Sequence, residues 1–477
     1  MKSIIRNYSL VFILYHLSGS LSAQVKTWTL KACIDTAFSR NISLNQSHLN
    51  NQINKINLAQ SKANELPNLN LSDGQNFNYG YSLDPYTYQY TNQNFASNNV
   101  SLNSSVTLFN GYLLINTVKQ NKLIYEAGTL DAEKIKNDIM LNVIAGYMQV
   151  MMDHDAIDAA QAQVEATNIQ VEQTKKFVEF GKVAELNLLQ VQSQLASDKL
   201  VKVNAENQLQ LDKLTLLQLM EMPAANDFDI ERQELKDVFT ELPVSTDEID
   251  KISESFLPQI KSASLKTNAA LFSLKMAENS WLPKLTMTGS VRTGYSSSRS
   301  TITEYTSYQQ STVGYLNNDP GQPVIGMVPY TNINKQNDPF SDQVKNNFSQ
   351  IIGFSLSVPI FNNYQVKNNT AIAKINVMNA QLNEQQTKND LRKSIETVYT
   401  NQVSAGKKLI ATEEQMALEK RTYSDMEKKY TFGAIDITSF LIEKNNYNRV
   451  SMALIQSKYD YILKLEMVNF YLGKPLF

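Results

Sequence analysis

Two related heptapeptides stand in this chain of 477 residues: Val106-Thr107-Leu108-Phe109-Asn110-Gly111-Tyr112 and Val358-Pro359-Ile360-Phe361-Asn362-Asn363-Tyr364. An offset of 252 residues relates them, and it also relates three later pairs: Tyr147 to Tyr399, Gly181 to Gly433 and Pro223 to Pro475. A constant offset indicates a duplicated unit of roughly 118 residues. None of the twelve prolines lies between the opening and closing landmarks of either copy. Long proline-free segments of mixed polarity predict long helices.

The first helix of each copy is predicted to carry a coiled-coil seam. In the first copy a β-branched residue recurs every seventh position, at Val143, Val150, Ile157, Val164, Val171 and Val178. The intervening seam positions are mostly polar and include His154, so only one side of the seam is strongly apolar. The pattern predicts a helix from Leu113 to about Glu179, about 100 Å long. A heptad row alone is typical of a structural coiled coil, so the function has to be read from its surroundings.

A glycine ends each long helix, at Phe180-Gly181-Lys182 and at Phe432-Gly433-Ala434. Glycine readily adopts the left-handed conformation found just beyond a helix C-terminus. Return helices are expected from about Ala184 to Met220 and from Asp436 to Leu472. Each copy is therefore predicted to be a helical hairpin whose return helix, about 55 Å long, covers half of its partner.

A leading helix before each copy is expected to cover the other half. Apolar residues at helical spacing run from Leu30 to Leu66, ahead of Pro67, and a weaker pattern runs from Glu248 to Leu282, ahead of Pro283. The two prolines correspond at an offset of 216 residues, so the duplication covers nearly the whole mature chain. The single cysteine, Cys33, is expected to be packed within the first leading helix.

The N-terminal residues 1–23 are interpreted as a secretory signal peptide. They combine the basic residues Lys2 and Arg6 with an apolar stretch and small residues up to Ala23. The mature chain is expected to begin near Gln24 and to carry no lipid. Removing the peptide changes the formal charge from −2 to −4, because two basic residues are lost. A mildly acidic chain is a poor ligand for nucleic acid.

Between each leading helix and its copy the hydrophobic period changes from helical to alternating. Alternation is clearest from Val100 to Leu108 and from Ile352 to Ile360, and weaker from Leu69 to Tyr81 and from Leu285 to Val291. Four such segments of about ten residues can cross a bilayer as tilted strands, although two soluble hairpins give the same pattern. Since four strands cannot close a barrel, strands in a membrane require several copies, and a homo-oligomer is expected.

The connection within the second strand pair, Ser296 to Gln350, is predicted to be a surface loop because it is polar and carries four prolines. It is 36 residues longer than its counterpart in the first pair. Both connections are rich in tyrosine, yet neither Ala63 to Val118 nor Ser300 to Asn334 contains Lys or Arg. Nucleic-acid binding needs a basic groove, so the tyrosines are interpreted as an aromatic girdle or a packed loop.

The order of several short segments carries a family resemblance. They are Thr29-Leu30, Cys33-Ile34-Asp35-Thr36-Ala37, the two Leu-Pro junctions, the two heptapeptides and the glycine turns. In this order the mature chain resembles the TolC-type outer membrane efflux proteins, the outer membrane factors of tripartite export systems. The resemblance implies a membrane α+β fold of two intertwined repeats, 24–245 and 246–477. It also implies a trimer in which a twelve-stranded β-barrel is continued by a periplasmic α-helical barrel, with the acidic segment 227–241 in a belt around it.

The resemblance further implies a passive outer membrane channel of a Gram-negative bacterium, extending into the periplasm, for efflux or type I secretion. The implied partners are outer membrane lipid, a periplasmic adaptor protein and an inner-membrane transporter. No cofactor, metal or nucleic acid is expected. The cargo and the identity of the pump stay open.

The same resemblance assigns roles at the hairpin tips. The implied adaptor contacts are Phe180, Gly181, Lys182, Phe432 and Gly433, and the implied periplasmic gate comprises Tyr430, Gly433, Asp436, Ser439 and Glu443. The gate segment lacks the arginine and paired aspartates expected of the family's latch. Asp436 and Glu443 stand seven residues apart and are expected on one helix face, where threefold symmetry makes rings of carboxylates that favour cations. The alternative is that Asp436 only caps the return helix.

No catalytic constellation is recognised in the sequence. The mature chain keeps only His48 and His154, far apart, and has neither a nucleophile elbow nor a phosphate loop. His154 is expected to be packed or lumen-facing rather than a metal ligand, and the protein is not expected to be an enzyme. A secreted coiled-coil structural or adhesive protein is the alternative function, but it leaves the duplicated strands unexplained.

Overall fold

The computed structural model describes residues 27–224, 227–232 and 245–476. The predicted signal peptide and most of the acidic segment 227–241 lie outside the described residues. Among those residues the helices are, in chain order, α1 Leu30–Arg40, α2 Ile42–Ala63, α3 Leu113–Glu179, α4 Glu185–Leu219, α5 Thr246–Phe256, α6 Pro258–Glu278, α7 Phe340–Asn346, α8 Gln365–Thr431 and α9 Ile437–Tyr471. The strands are β1 Thr27–Trp28, β2 Asn68–Asn78, β3 Ser82–Leu83, β4 Tyr90–Thr91, β5 Phe95–Asn110, β6 Asp229–Ile230, β7 Lys284–Ser296, β8 Ser300–Tyr315, β9 Pro323–Asn337 and β10 Ser349–Ser357.

The chain forms two compact units, and each draws on both sequence repeats. The helical unit comprises the described residues of 1–55, 122–269 and 377–477, and the strand unit comprises 56–121 and 270–376. Within the described part of the chain, no helix combines the length and hydropathy needed to cross a membrane.

Packing of the predicted seam stabilises the helical unit. The helices α3 and α8 are both 67 residues long, as expected for α3. Val143 and Val150 are fully buried, and their cluster includes Leu216 of α4. At Gly146 an added Cβ atom would lie 3.1 Å from the Leu219 side chain, so the small residue permits close packing of the two helices. Cys33 is fully buried in the same cluster, which confirms the packed thiol, and burial raises its pKa to about 12.

Each predicted leading helix is in fact two helices, so the prediction of one continuous helix was wrong. The two breaks lie at equivalent positions of the two repeats. The first breaks at Asn41, whose Oδ1 accepts a hydrogen bond of 2.9 Å from the backbone N–H of Leu44 and so caps α2. The second breaks at Leu257, because Pro258 disfavours helical backbone at the preceding residue.

The strand unit contains an antiparallel sheet of the four predicted strands, in the order β10-β7-β5-β2. The pairing of β5 with β7 is central and sets Leu102 opposite Val291. Leu71 and Phe354, on the edge strands β2 and β10, are exposed in the single chain. Strand β10 ends at Ser357, whereas the sequence pattern predicted a strand that continues to Ile360. The strand is shorter because Pro359 has no N–H to donate to a neighbouring strand.

The prediction of a surface loop from Ser296 to Gln350 was wrong in one respect, because most of this segment forms strands and a short helix. Strands β8 and β9 form a two-stranded antiparallel ribbon with a bulge between Thr312 and Gly314, and the short helix α7 follows it. The prolines that suggested a loop stand mainly in the exposed strand β9 and in the turn before it, where strands tolerate them. Frequent Thr, Tyr and Ile residues give both strands the composition of extended structure.

Candidate functional site at the hairpin tips

Both hairpin tips are built on a glycine in the left-handed conformation. Gly181 has φ +69° and Gly433 has φ +72°, and apart from their chain neighbours no described residue has an atom within 4 Å of an added Cβ at either position. The N–H of Gly181 donates to the Val178 carbonyl at 2.9 Å, and the N–H of Lys182 donates to the Phe177 carbonyl at 2.8 Å. Two matching bonds close the second tip. These bonds satisfy carbonyl groups that the helix ends leave free, so the glycine supplies the turn that the sequence predicted.

The tips present aromatic rings to their surroundings. Phe180 and Phe432 are 74% and 86% exposed, although phenylalanine is usually buried. The Nζ of Lys182 lies 5.6 Å from the centroid of the Phe177 ring, in a cation–π contact that keeps the ammonium beside the first tip. The residues predicted to meet an adaptor therefore form two small, accessible apolar points.

Asp436 caps the helix α9. Its Oδ1 accepts a hydrogen bond of 2.9 Å from the backbone N–H of Ser439, and its Oδ2 accepts one of 2.6 Å from the Ser439 hydroxyl. These bonds lower the pKa of the exposed Asp436 carboxyl, which is therefore ionised at neutral pH. The capping alternative is thus observed, and the carboxylate remains open to solvent.

Asp436 and Glu443 have different surroundings, and their position on one helix face stays a prediction. Asp436 precedes α9 and has extended backbone, with ψ 159°. Glu443 lies within the helix and is half-buried beside Glu419. Burial, followed by the charge of Glu443, raises the pKa of Glu419. The five predicted gate residues are therefore in three settings: an exposed turn, a helix cap and an inter-helix contact.

Tyr430, another predicted gate residue, packs between the two hairpins of one chain. Its ring stacks on that of Phe440, with centroids 5.1 Å apart, and its hydroxyl lies 3.3 Å from the Thr174 hydroxyl of the first hairpin. A groove of about 420 Å³ beside it is lined by residues of α3 and α8, including Ile169, and by Phe432 of the turn after α8. Tyr430 thus helps to hold the tips of the two hairpins together.

A buried ion pair, missed in the sequence, also joins the two hairpins. The Nζ of Lys444 lies 3.7 Å from the Oδ2 of Asp198, and both residues are almost fully buried with Thr167. Lys444 donates to the Thr167 hydroxyl, which donates to Asp198. Gln163 and Gln194 donate to the other carboxylate oxygen at 2.6 and 2.7 Å. Burial lowers the pKa of Lys444, and Asp198 opposes that effect. The partners are 246 residues apart, so sequence spacing gives no signal for this pair.

His154 lies away from the tips and is packed, as expected. Its Nε2 lies 2.9 Å from the Oδ1 of Asp229, which also forms an ion pair of 3.0 Å with Lys213. Asp229 belongs to β6, which pairs in parallel with β1. These contacts hold the described part of the inter-repeat segment against the first hairpin.

Comparisons with known proteins agree with this architecture. The model of the family described as outer membrane efflux protein matches residues 33–220 and 257–474. The outer membrane protein TolC of Escherichia coli strain K12 is 23% identical over 430 residues, which cover 88% of this chain and 76% of TolC. A second relative, an uncharacterised protein of Haemophilus influenzae, is 21% identical over 376 residues. The match covers 76% of this chain and 69% of the Haemophilus influenzae protein.

The fold is also that of solved outer membrane proteins. The structure of CusC superimposes with a TM-score of 0.74 at 16% identity, covering 94% of this chain and 92% of CusC. The outer membrane protein VceC of Vibrio cholerae superimposes with a TM-score of 0.72 at 13% identity, covering 94% of this chain and 97% of VceC. The chain therefore belongs to the outer membrane efflux protein family and is an outer membrane channel protein of efflux systems.

Proposed function

We propose that three copies of the chain assemble into one passive duct with a closed twelve-stranded β-barrel. The observation that carries this proposal is the four-stranded sheet, whose edge strands β10 and β2 have no second partner among the described residues. An open edge leaves backbone N–H and C=O groups without hydrogen bonds, which hydrocarbon does not tolerate. Pairing β10 of one copy with β2 of the next closes the barrel and leaves no open edge.

The helical hairpins of the same three copies form the periplasmic part of the duct. Several apolar side chains of α4, among them Leu186, Leu189, Leu200 and Leu211, are exposed in the single chain. Exposed apolar side chains in such number along one helix support burial against a neighbouring copy. The relatives fit this assembly, since CusC is described as forming a transmembrane channel.

The two aromatic tips bind a periplasmic adaptor, which connects the duct to an inner-membrane transporter. Phe180 and Phe432 support this role because both rings are exposed next to rigid glycine turns. Apolar points of this kind suit the groove or tip of another helical protein. Asp436 contributes a ring of three carboxylates at the entrance, and such a ring favours cations.

Export is tested by deleting the gene and measuring accumulation of a fluorescent dye in cells. The deletion strain is expected to accumulate the dye, and the wild-type chain should restore the low level. A chain lacking the four strands β2, β5, β7 and β10 is the control that should fail. Normal dye export in the deletion strain, with no related channel protein present, contradicts the proposed function.

A further inference from the structure

Helices of the two sequence repeats contact one another within the single chain. In the α3–α6 contact the Ser262 hydroxyl donates to the Oδ1 of Asp131 at 2.6 Å, and the Nζ of Lys266 lies 2.7 Å from the Oδ2 of Asp131. In the α3–α9 contact the hydroxyl of the buried Tyr459 donates to the Oδ2 of Asp155 at 2.8 Å. The long helix of the first repeat therefore packs against the leading and return helices of the second repeat.

The equivalent surfaces of α2 and α4 are exposed in the single chain. The helix α2 corresponds to α6 at an offset of 216 residues, and α4 corresponds to α9 at an offset of 252. Ala269 of α6 is buried, whereas its counterpart Ile53 in α2 is 56% exposed. Leu463 of α9 packs against the core, whereas its counterpart Leu211 in α4 is 58% exposed. Exposed apolar residues at positions that the other repeat covers indicate a partner with the shape of a long helix.

The helix α8 is the equivalent of α3, and its side chains can bind those of α2 and α4. The counterparts of Ser262 and Asp131 in the α3–α6 contact are Gln46 and Asn383, two exposed amides that can both donate and accept hydrogen bonds. The counterparts of the bonded pair in the α3–α9 contact are Asn207 and Lys407, also exposed. The ammonium group of a lysine can donate to an amide oxygen. Both contacts can therefore form again at the equivalent positions without placing like charges together.

We propose that α8 of each copy packs against α2 and α4 of the next copy, in the register in which α3 packs against α6 and α9 within one copy. Such a head-to-tail contact closes into a ring under threefold symmetry and removes the exposed apolar side chains from water. The sheet supports the same step along the repeats. Strand β5 pairs with β7 within the chain, and its equivalent β10 pairs with β2 of the next copy in the proposed barrel. The inference rests on the proposed trimer.

Paired cysteines test the register of the contact. Gln46→Cys combined with Asn383→Cys places one thiol on α2 and one on α8 at equivalents of the α3–α6 contact. Isolated outer membranes are treated with a short bis-maleimide, and the products are separated on a denaturing gel. Asn207→Cys combined with Lys407→Cys, at equivalents of the α3–α9 contact, replaces this variant if it does not accumulate.

The chain offers matched controls. Gln381 is exposed like Asn383 but lies about 200° further around α8, so Gln46→Cys combined with Gln381→Cys keeps the thiol count and moves one thiol to another face. The single variant Gln46→Cys should give no cross-link, because a head-to-tail contact brings different residues together. Wild-type protein supplies the background, since its only cysteine, Cys33, is fully buried.

We expect the pair at positions 46 and 383 to give covalent dimers and trimers of this chain, at least about tenfold more than the pair at positions 46 and 381 gives. Equal yields from these two variants, no covalent products from the first, or cross-links only to a different protein overturn the inference. An unheated gel of the same samples separates the two proposals. A trimer without the expected cross-links overturns only the register, whereas absence of a trimer also overturns the proposed assembly.

Discussion

At the residue scale, Asp436 combines a structural role with the charge on which the proposed entrance depends. Its two oxygens cap α9 through the Ser439 N–H and hydroxyl groups. Asparagine is about as good an N-cap as aspartate, so Asp436→Asn removes the charge and keeps a cap. The substitution thus separates the two interpretations that the sequence left open.

The Asp436→Asn channel is predicted to be less cation-selective and less sensitive to block by multivalent cations than the wild type. The reason is that a ring of three like charges in a narrow pore concentrates cations. Conductance and reversal potentials in planar bilayers measure both properties. Asp425→Asn, a substitution at an exposed site on α8, is the control. If both variants behave as the wild type does, Asp436 is only a helix cap.

The carboxyl group of Asp153 has a raised pKa. It is almost fully buried in the first hairpin beside Asp212, and the Gln149 side chain donates to both carboxyl groups, at 3.3 Å and 3.2 Å. Burial and then Asp212 raise the pKa of Asp153 from 3.8 to about 7. Between these two pH values the folded protein keeps a proton that the unfolded chain has lost. The free energy of unfolding therefore falls as the pH rises from about 4 to about 7.

Asp153→Asn is predicted to stabilise the protein at pH 8 and to reduce this pH dependence. An amide can donate to Asp212 without adding a buried charge, and one pKa unit corresponds to about 1.4 kcal/mol. A gain of about 1–3 kcal/mol at pH 8 and almost none at pH 4 is expected. Thermal unfolding followed by circular dichroism at the two pH values measures it. A variant that is less stable than the wild type at pH 8 contradicts the raised pKa of Asp153.

At the element scale, the contact between the two hairpins depends on the buried pair of Lys444 and Asp198. Removing one partner of such a pair leaves a charge without its counter-ion, which costs about 3–5 kcal/mol, whereas removing both can be nearly neutral. Lys444→Met is therefore predicted to lower the thermal midpoint clearly. Lys444→Met combined with Asp198→Asn should recover most of the loss, because the amide still bonds to its neighbours.

The control for this experiment is Lys428→Met, which breaks an exposed ion pair of 4.0 Å with Asp425 near the same tip. Exposed pairs contribute about 0–1 kcal/mol, so little change is expected. Equal midpoints for Lys444→Met and Lys428→Met would show that the buried pair does not hold the hairpins together.

The elements differ in how far their sequences determine them. The bounds of α3 follow from the heptad row and from Gly181, because periodicity and helix-ending chemistry are local properties. The breaks at Asn41 and Leu257 also have local causes, a cap and a proline, but the surrounding apolar pattern continues through them and conceals them. The β8–β9 ribbon was missed because its prolines were given more weight in the prediction than its β-rich composition. The position of Tyr430 could not be predicted, because it depends on tertiary contacts between distant segments.

At the scale of the whole molecule, the ribbon is predicted to be dispensable for assembly. Replacing Ser300 to Asn337 by Asn-Gly joins Arg299 to Asp338, which already form an ion pair of 3.2 Å and a backbone hydrogen bond of 3.1 Å. Asn-Gly favours the two-residue turn that such a junction needs. The first repeat makes the corresponding passage with 36 fewer residues. The trimer on an unheated gel and dye export should both persist, and loss of the trimer would contradict this prediction.

The family and the hairpin architecture could be predicted from the sequence, since duplication, periodicity and glycine turns leave direct traces in it. The settings of the candidate gate residues could not. Whether Glu443 faces a lumen, a neighbouring copy or Glu419 depends on how helices rotate about their axes when they pack, and spacing along one helix does not determine this rotation.

The central claim is that the outer membrane duct consists of three copies of this chain. Native mass spectrometry of the protein extracted with detergent from isolated outer membranes tests it most directly. We predict one species with the mass of three mature chains, which dissociates into single chains on heating. A single chain, or a complex with any other number of copies, would contradict the account.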